Sequence, residues 1–156
     1  MGFEITEIEE FSGCKAHIYS VRINGEENTL LEQFFDENCV HKKALKNIIY
    51  KIKTMADYTG CKREFFKEGE GAFADGVVAL KAGKLRLYGL YFNSAVILFG
   101  SGGYKTVRAY QEDASLNAKV EQMKLIASHI NKGIKERAIK ITKEGIIDCQ
   151  DFELYD

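Results

Sequence analysis

The residues of this sequence best suited to chemistry on a phosphate lie between Lys81 and Tyr110. In the run KAGKLRLYGLYF, Arg86 and Tyr88 are two residues apart and so share one face of an extended strand, while Leu85 and Leu87 take the other. Lys81 and Lys84 flank the preceding turn, and Lys105, Arg108 and Tyr110 follow on a last strand. A guanidinium grips phosphate through two parallel hydrogen bonds, an ammonium holds it as a point charge, and a phenol stacks on bases or exchanges protons. An antiparallel sheet that shows one face to solvent would present this set with no carboxylate to neutralise it. Such a face suits RNA phosphodiester chemistry without a metal: a cation stabilises the crowded phosphate while a neighbour handles the proton of the attacking 2′-hydroxyl. The structural alternative for the same residues is that Tyr88 and Tyr91 are half-buried sheet residues and Arg86 is part of a surface ion pair.

Other site types find little support. GSGGYKT at 100–106 superficially resembles a phosphate-binding loop, but Tyr104 stands where a Gly is required before the Lys, and the spacing is short. The segment reads instead as a hairpin turn at Gly102-Gly103. His17, His41 and His129 are scattered, and Cys14, Cys39, Cys61 and Cys149 occur singly, which points to reduced, buried thiols and to no metal or other cofactor. There is no nucleophile signature and no pair of carboxylates in a catalytic context.

The elements that must position these residues belong to one domain of 156 residues, 46% hydrophobic and 29% charged. No apolar run reaches the roughly 20 residues of a membrane span. The acidic start MGFEITEIEE is unlike a signal peptide, so a soluble cytoplasmic protein is expected. The formal charge of −1 is unevenly spread. Residues 1–40 carry nine acidic and two basic side chains, residues 41–110 five and thirteen, and residues 111–156 nine and seven. A basic middle segment between acidic flanks is either a solvated surface whose charges pair across the fold or a phosphate-facing one. The flanks could also pack over the basic sheet and mask it.

Residues 3–11 and 15–23 read as two strands joined at Ser12-Gly13, with Tyr19, Val21 and Ile23 on one face of the second. Thr29-Leu-Leu-Glu32 has the form of a capping box opening a short helix from 30 to 38. In the next helix Leu45, Ile48, Ile49, Ile52, Met55 and Ala56 form an apolar stripe that Gly60 ends. Lys42, Lys43, Lys46, Lys51 and Lys53 fall mostly off the stripe, a solvated face or one that meets a polyanion. Strands are expected at 77–81, 85–92, 95–100 and 104–110 with tight turns between them, then a helix over 115–132 ended by Gly133, then a tail over 139–154 that either adds a terminal hairpin or runs over the surface. The fold class is therefore α+β.

Two helices, the second basic, then a meander containing LRLYGLYF–NS–AVILFG, then Lys/Arg, Tyr and a helix, resemble the RelE/ParE toxin superfamily, and more closely its phage-derived HigB-like branch. The resemblance spans residues 29–132. It implies two helices and a C-terminal helix packed on an antiparallel β-meander, with residues 1–28 an added N-terminal hairpin and 133–156 a C-terminal extension. It also implies a metal-independent mRNA endoribonuclease that acts at the ribosome and is held inactive by an antitoxin protein. By position, Arg86 matches the phosphate-stabilising arginine, Lys105 or Arg108 the second cation, Tyr110 the C-terminal tyrosine, and Lys81 or Lys84 the basic pair before the central strand. Tyr88 completes the catalytic candidates, and Lys46 and Lys53 extend the RNA-binding surface. The chain departs from the pattern where Phe99 replaces a His, where SGGYKT replaces a dense basic run, and in its acidic flanks. A RelE-like binding module without nuclease activity, serving a protein or nucleic-acid partner, is the alternative.

Overall fold

The computed structural model describes residues 2–66, 76–106, 113–147 and 152–153. The described residues form an α+β structure around a mostly antiparallel sheet with helices on both faces. In chain order the main elements are β1 (Gly2–Glu7), β2 (His17–Ile23), α1 (Leu30–Glu37), α2 (Lys42–Thr54), β3 (Val77–Ala82), β4 (Leu85–Asn93), β5 (Val96–Tyr104) and α3 (Ala114–Lys135). A short hairpin of β6 (Lys140–Thr142) and β7 (Gly145–Ile147) follows, and then β8 (Phe152–Glu153). The large sheet has the order β3-β4-β5-β2-β1-β8, and only β2 and β5 run parallel.

Strand alternation sorts the core onto the two faces. Ala79, Tyr88, Leu90 and Leu98 point to α3, where they meet Leu116, Val120, Met123, Ile126 and Ile130. Leu80, Leu85, Leu87, Ile97 and Phe99 point the other way, against Leu31 and Phe34 of α1 and Ile48 and Ile52 of α2. Fully burying one such side chain contributes roughly 1.5–3 kcal/mol, so each helix is held by its apolar stripe. The expected solvent-facing sheet surface is therefore not found among the described residues. The Arg86–Tyr88 face of β4 is the face that α3 covers, and Tyr88 is 0% exposed.

The N-terminal strands form the expected pair, with Phe3 opposite Ile23, but β1 ends earlier, at Glu7, and β2 begins later, at His17. They are continuous with the sheet, because His17–Ser20 pairs with Val96–Phe99. Buried Ser20 fixes this junction: its hydroxyl donates to the Phe99 carbonyl at 2.7 Å and accepts the Leu31 amide at 3.2 Å, which sets the start of α1 against the parallel pair. The capping box at α1 is present, with the Thr29 hydroxyl accepting the Glu32 amide and the Glu32 carboxylate accepting the Thr29 amide. A π-helical turn, Met55–Thr59, closes α2, and Gly60 (φ +76°) lets the chain reverse against the Ser94 carbonyl, 2.8 Å from where a Cβ would sit.

The glycine-rich stretch 100–103 differs from expectation. It is strand interior, not a turn: β5 runs unbroken to Tyr104, with Gly102 opposite Leu87 and Gly103 opposite Arg86. A side chain at Gly102 would collide with the Arg86 carbonyl, so glycine is what allows the two strands to approach there. Gly133 likewise lies within α3, which continues to Lys135. The strand expected over 104–110 is not formed at its start, since Lys105 and Thr106 follow β5 as irregular chain, and its remainder lies outside the described residues.

Candidate functional site

Where the N-terminal end of α2 meets the β3–β4 turn, the surface opens into a groove of about 960 Å³. Five of its lining residues are lysines: Lys42, Lys43 and Lys51 from α2, and Lys81 and Lys84 from either side of the turn. His41, Asn47 and Tyr104 add polar and aromatic groups, and no carboxylate is among the described residues that line it. Three acids of the N-terminal flank pair elsewhere, Glu4 with Arg22, Glu7 with His17 and Glu37 with Lys119. None of that flank's carboxylates lines the groove.

Each cation reaches the groove for a local reason. The stripe that buries Ile48 and Ile52 turns Lys43, Asn47 and Lys51 toward the edge strand β3. The Lys51 ammonium donates to the Lys81 carbonyl at 2.6 Å. Partial burial, and then the nearby charge of Lys81, lower its pKa below the ordinary lysine value. Lys42 and Lys43 open a helix whose first turn holds no acidic residue and whose N-cap, His41, makes no side-chain cap bond. Carboxylates are favoured at those positions and cations are not. Such a breach of local preference is expected where a sequence serves a ligand. The imidazole of His41 instead stacks on the ring of Tyr104, with centroids 3.9 Å apart and planes 9° from parallel.

The residues expected from sequence fall into three groups. Lys81 and Lys84 line the groove, and Lys105 is brought beside it, its amide donating to the Lys84 carbonyl at 2.7 Å. Lys46 lines a smaller depression that adjoins through Lys42 and Lys43. Lys53 lies elsewhere on α2, 3.7 Å from Asp57 and donating to the Glu10 carbonyl. Arg86 is 6% exposed, and its Nη1 donates to the carbonyls of Gly83 (2.6 Å) and Leu85 (3.1 Å). Arg86 is thus a buried guanidinium rather than a surface one, and its bond to Gly83 holds the β3–β4 turn beside Lys84. Tyr88 is a core residue rather than a half-buried one. Arg108 and Tyr110 lie outside the described residues.

His41 and Tyr104 are functional candidates that the sequence did not single out. The exposed lysines just after His41 were a signal for the first. Nothing local marks Tyr104, which follows glycines with the composition of a turn.

Cys61 is buried, and desolvation pushes its thiol up to about 12. Cys14 and Cys39 are exposed, contrary to the expectation of buried thiols, and Cys149 lies outside the described residues. Among the described residues no group of three or more His, Cys, Asp or Glu is placed to hold a metal ion. No helix among them is long and apolar enough to cross a membrane.

The fold and groove define a class, an α+β protein with a lysine-lined cleft at the edge of its sheet. Comparison with protein families, with curated proteins and with solved structures finds no match to the chain.

Proposed function

We propose that this chain is a nucleic-acid-binding module that holds a phosphate backbone in the lysine groove. The observation that carries the reading is the convergence of five lysines on one concave surface with no carboxylate among its described lining residues. Ammonium groups gathered on one surface repel one another, and a polyanion relieves that repulsion while releasing its own counterions. RNA is the ligand that the resemblance to the RelE/ParE superfamily implies. Support for that kinship lies in the order of elements: two helices, three antiparallel strands and a helix. Burial of Tyr88, and of Arg86 against its own turn, favours the binding version over a catalytic face on β4.

The direct experiment is fluorescence anisotropy with a labelled RNA, comparing the wild type with Lys81→Gln/Lys84→Gln. Both side chains line the groove, and Lys51 and Lys105 bond to the backbone carbonyls of these two residues, so the fold should persist. Affinity should fall at least tenfold. An unchanged affinity would remove the reading.

Cleavage of mRNA, as in a toxin restrained by an antitoxin, is a second reading with one observation in its favour. His41 and Lys51, whose pKa partial burial lowers, put an imidazole and an amine able to exchange protons beside the other lysines. RNA left intact by the purified chain, together with growth unaffected by its expression, would eliminate it.

A further inference from the structure

We infer that the groove takes a single strand, with one nucleobase stacked on the His41–Tyr104 pair. The inference rests on the reading of the groove as a phosphate site and adds what the phosphates alone do not specify. Two rings lie parallel at 3.9 Å, both among the groove-lining residues. Tyr104 is 37% exposed, an apolar surface left open at the end of a strand, beside lysines that would suit only the charge of a ligand. His41 occupies the N-cap of α2 yet makes no side-chain cap bond, so its ring is committed to the stack and not to the helix.

Single-stranded nucleic acid is recognised by this combination, a basic channel that tracks the backbone and an aromatic platform under a base. A duplex keeps its base faces stacked inside and offers the groove phosphates only, which would leave the platform idle. From His41 to Lys51 the groove follows about 15 Å of helix at 1.5 Å per residue, so phosphates can meet lysines on the strand that continues past the stacked base.

The test uses the full chain with three probes of matched phosphate number: a single-stranded RNA oligonucleotide, the same RNA as a duplex, and inorganic polyphosphate. The wild type should bind the single strand about tenfold more tightly than the other two, the scale expected for one stacked base. Tyr104→Ala and His41→Ala should each erase that preference while leaving polyphosphate binding within about twofold, and Tyr104→Phe should retain it. Circular dichroism identifies a variant that has lost its fold, and the two alanine variants sit on different elements, so one failing to fold leaves the other to decide. Equal binding of all three probes by the wild type, or a Tyr104→Ala loss shared equally by all three, overturns the inference and leaves the phosphate reading standing. Failure of every probe to bind overturns both.

Discussion

The ammonium of Lys51 donates a hydrogen bond to the carbonyl of Lys81 at 2.6 Å, which joins the last turn of α2 to the edge strand β3 where both residues line the groove. The pKa of Lys51 is lowered there, through desolvation first and the Lys81 charge second. The same contact is structural and electrostatic at once.

Because the folded pKa of Lys51 lies below that of the unfolded chain, the unfolded state binds more protons in the window between them. Stability must then rise with pH across the alkaline range beneath 10.5, the ordinary lysine value, and the cost of charging Lys51 is constant below that window. Urea midpoints of the wild type, measured against Lys51→Met from pH 7 to pH 10, should show this rise in the wild type alone. Parallel pH profiles would contradict it.

Arg86 is assigned to the β3–β4 turn and Tyr88 to the core. Arg86→Ala should therefore lower stability by about 1.5–3 kcal/mol, the range for hydrogen bonds from a charged group. Tyr88→Ala should cost about 3–5 kcal/mol as a large core truncation. Chemical denaturation is the readout. An Arg86→Ala protein as stable as the wild type would restore this guanidinium to the list of groups available to a ligand.

Asp113 caps α3, its carboxylate accepting the amide of Leu116 at 3.1 Å and the hydroxyl of Thr106 at 3.2 Å. The bond to Leu116, foremost, lowers its pKa. Its contribution to stability is therefore complete above the unfolded carboxylate value of 3.8 and is lost as pH falls through the lower folded value. Asp113→Ala should cost about 1 kcal/mol at neutral pH, whereas Asp113→Asn should keep most of the cap and lose its acid dependence. Thermal melts at pH 7 and pH 3 distinguish the three proteins.

With its thiol pushed up to about 12, Cys61 should resist a maleimide at pH 7 in the folded chain while Cys14 and Cys39 react. Peptide mapping by mass spectrometry, repeated in denaturant, reads the difference. Rapid labelling of Cys61 in the native protein would show that the loop around Gly60 opens.

What the sequence made legible was mostly local. Thr29 and Glu32 announce the start of α1 within four residues, and the Ile48–Ile52 stripe announces the buried face of α2. The alternation of Arg86 and Tyr88 with Leu85 and Leu87 reveals the strand period but not the environment of its two faces. An amphipathic strand looks the same whether its second face meets water or a later helix, and only α3 decides that. The glycines at 102 and 103 carry the composition of a turn, yet their cause is a close approach of β5 to β4, a tertiary constraint that no neighbouring residue reveals. For the same reason the His41–Tyr104 stack was invisible: it joins a helix start to a strand end that are distant in sequence and meet only once the sheet has formed.

The central claim, that the lysine groove holds phosphates, is tested most directly by the salt dependence of binding to a single-stranded RNA. Affinity should fall linearly on a log–log plot, and Lys81→Gln/Lys84→Gln should reduce the slope by about 1.4, near 0.7 for each lost phosphate contact on a single strand. A flat salt response in the wild type, or a slope that the double variant leaves unchanged, would contradict the account.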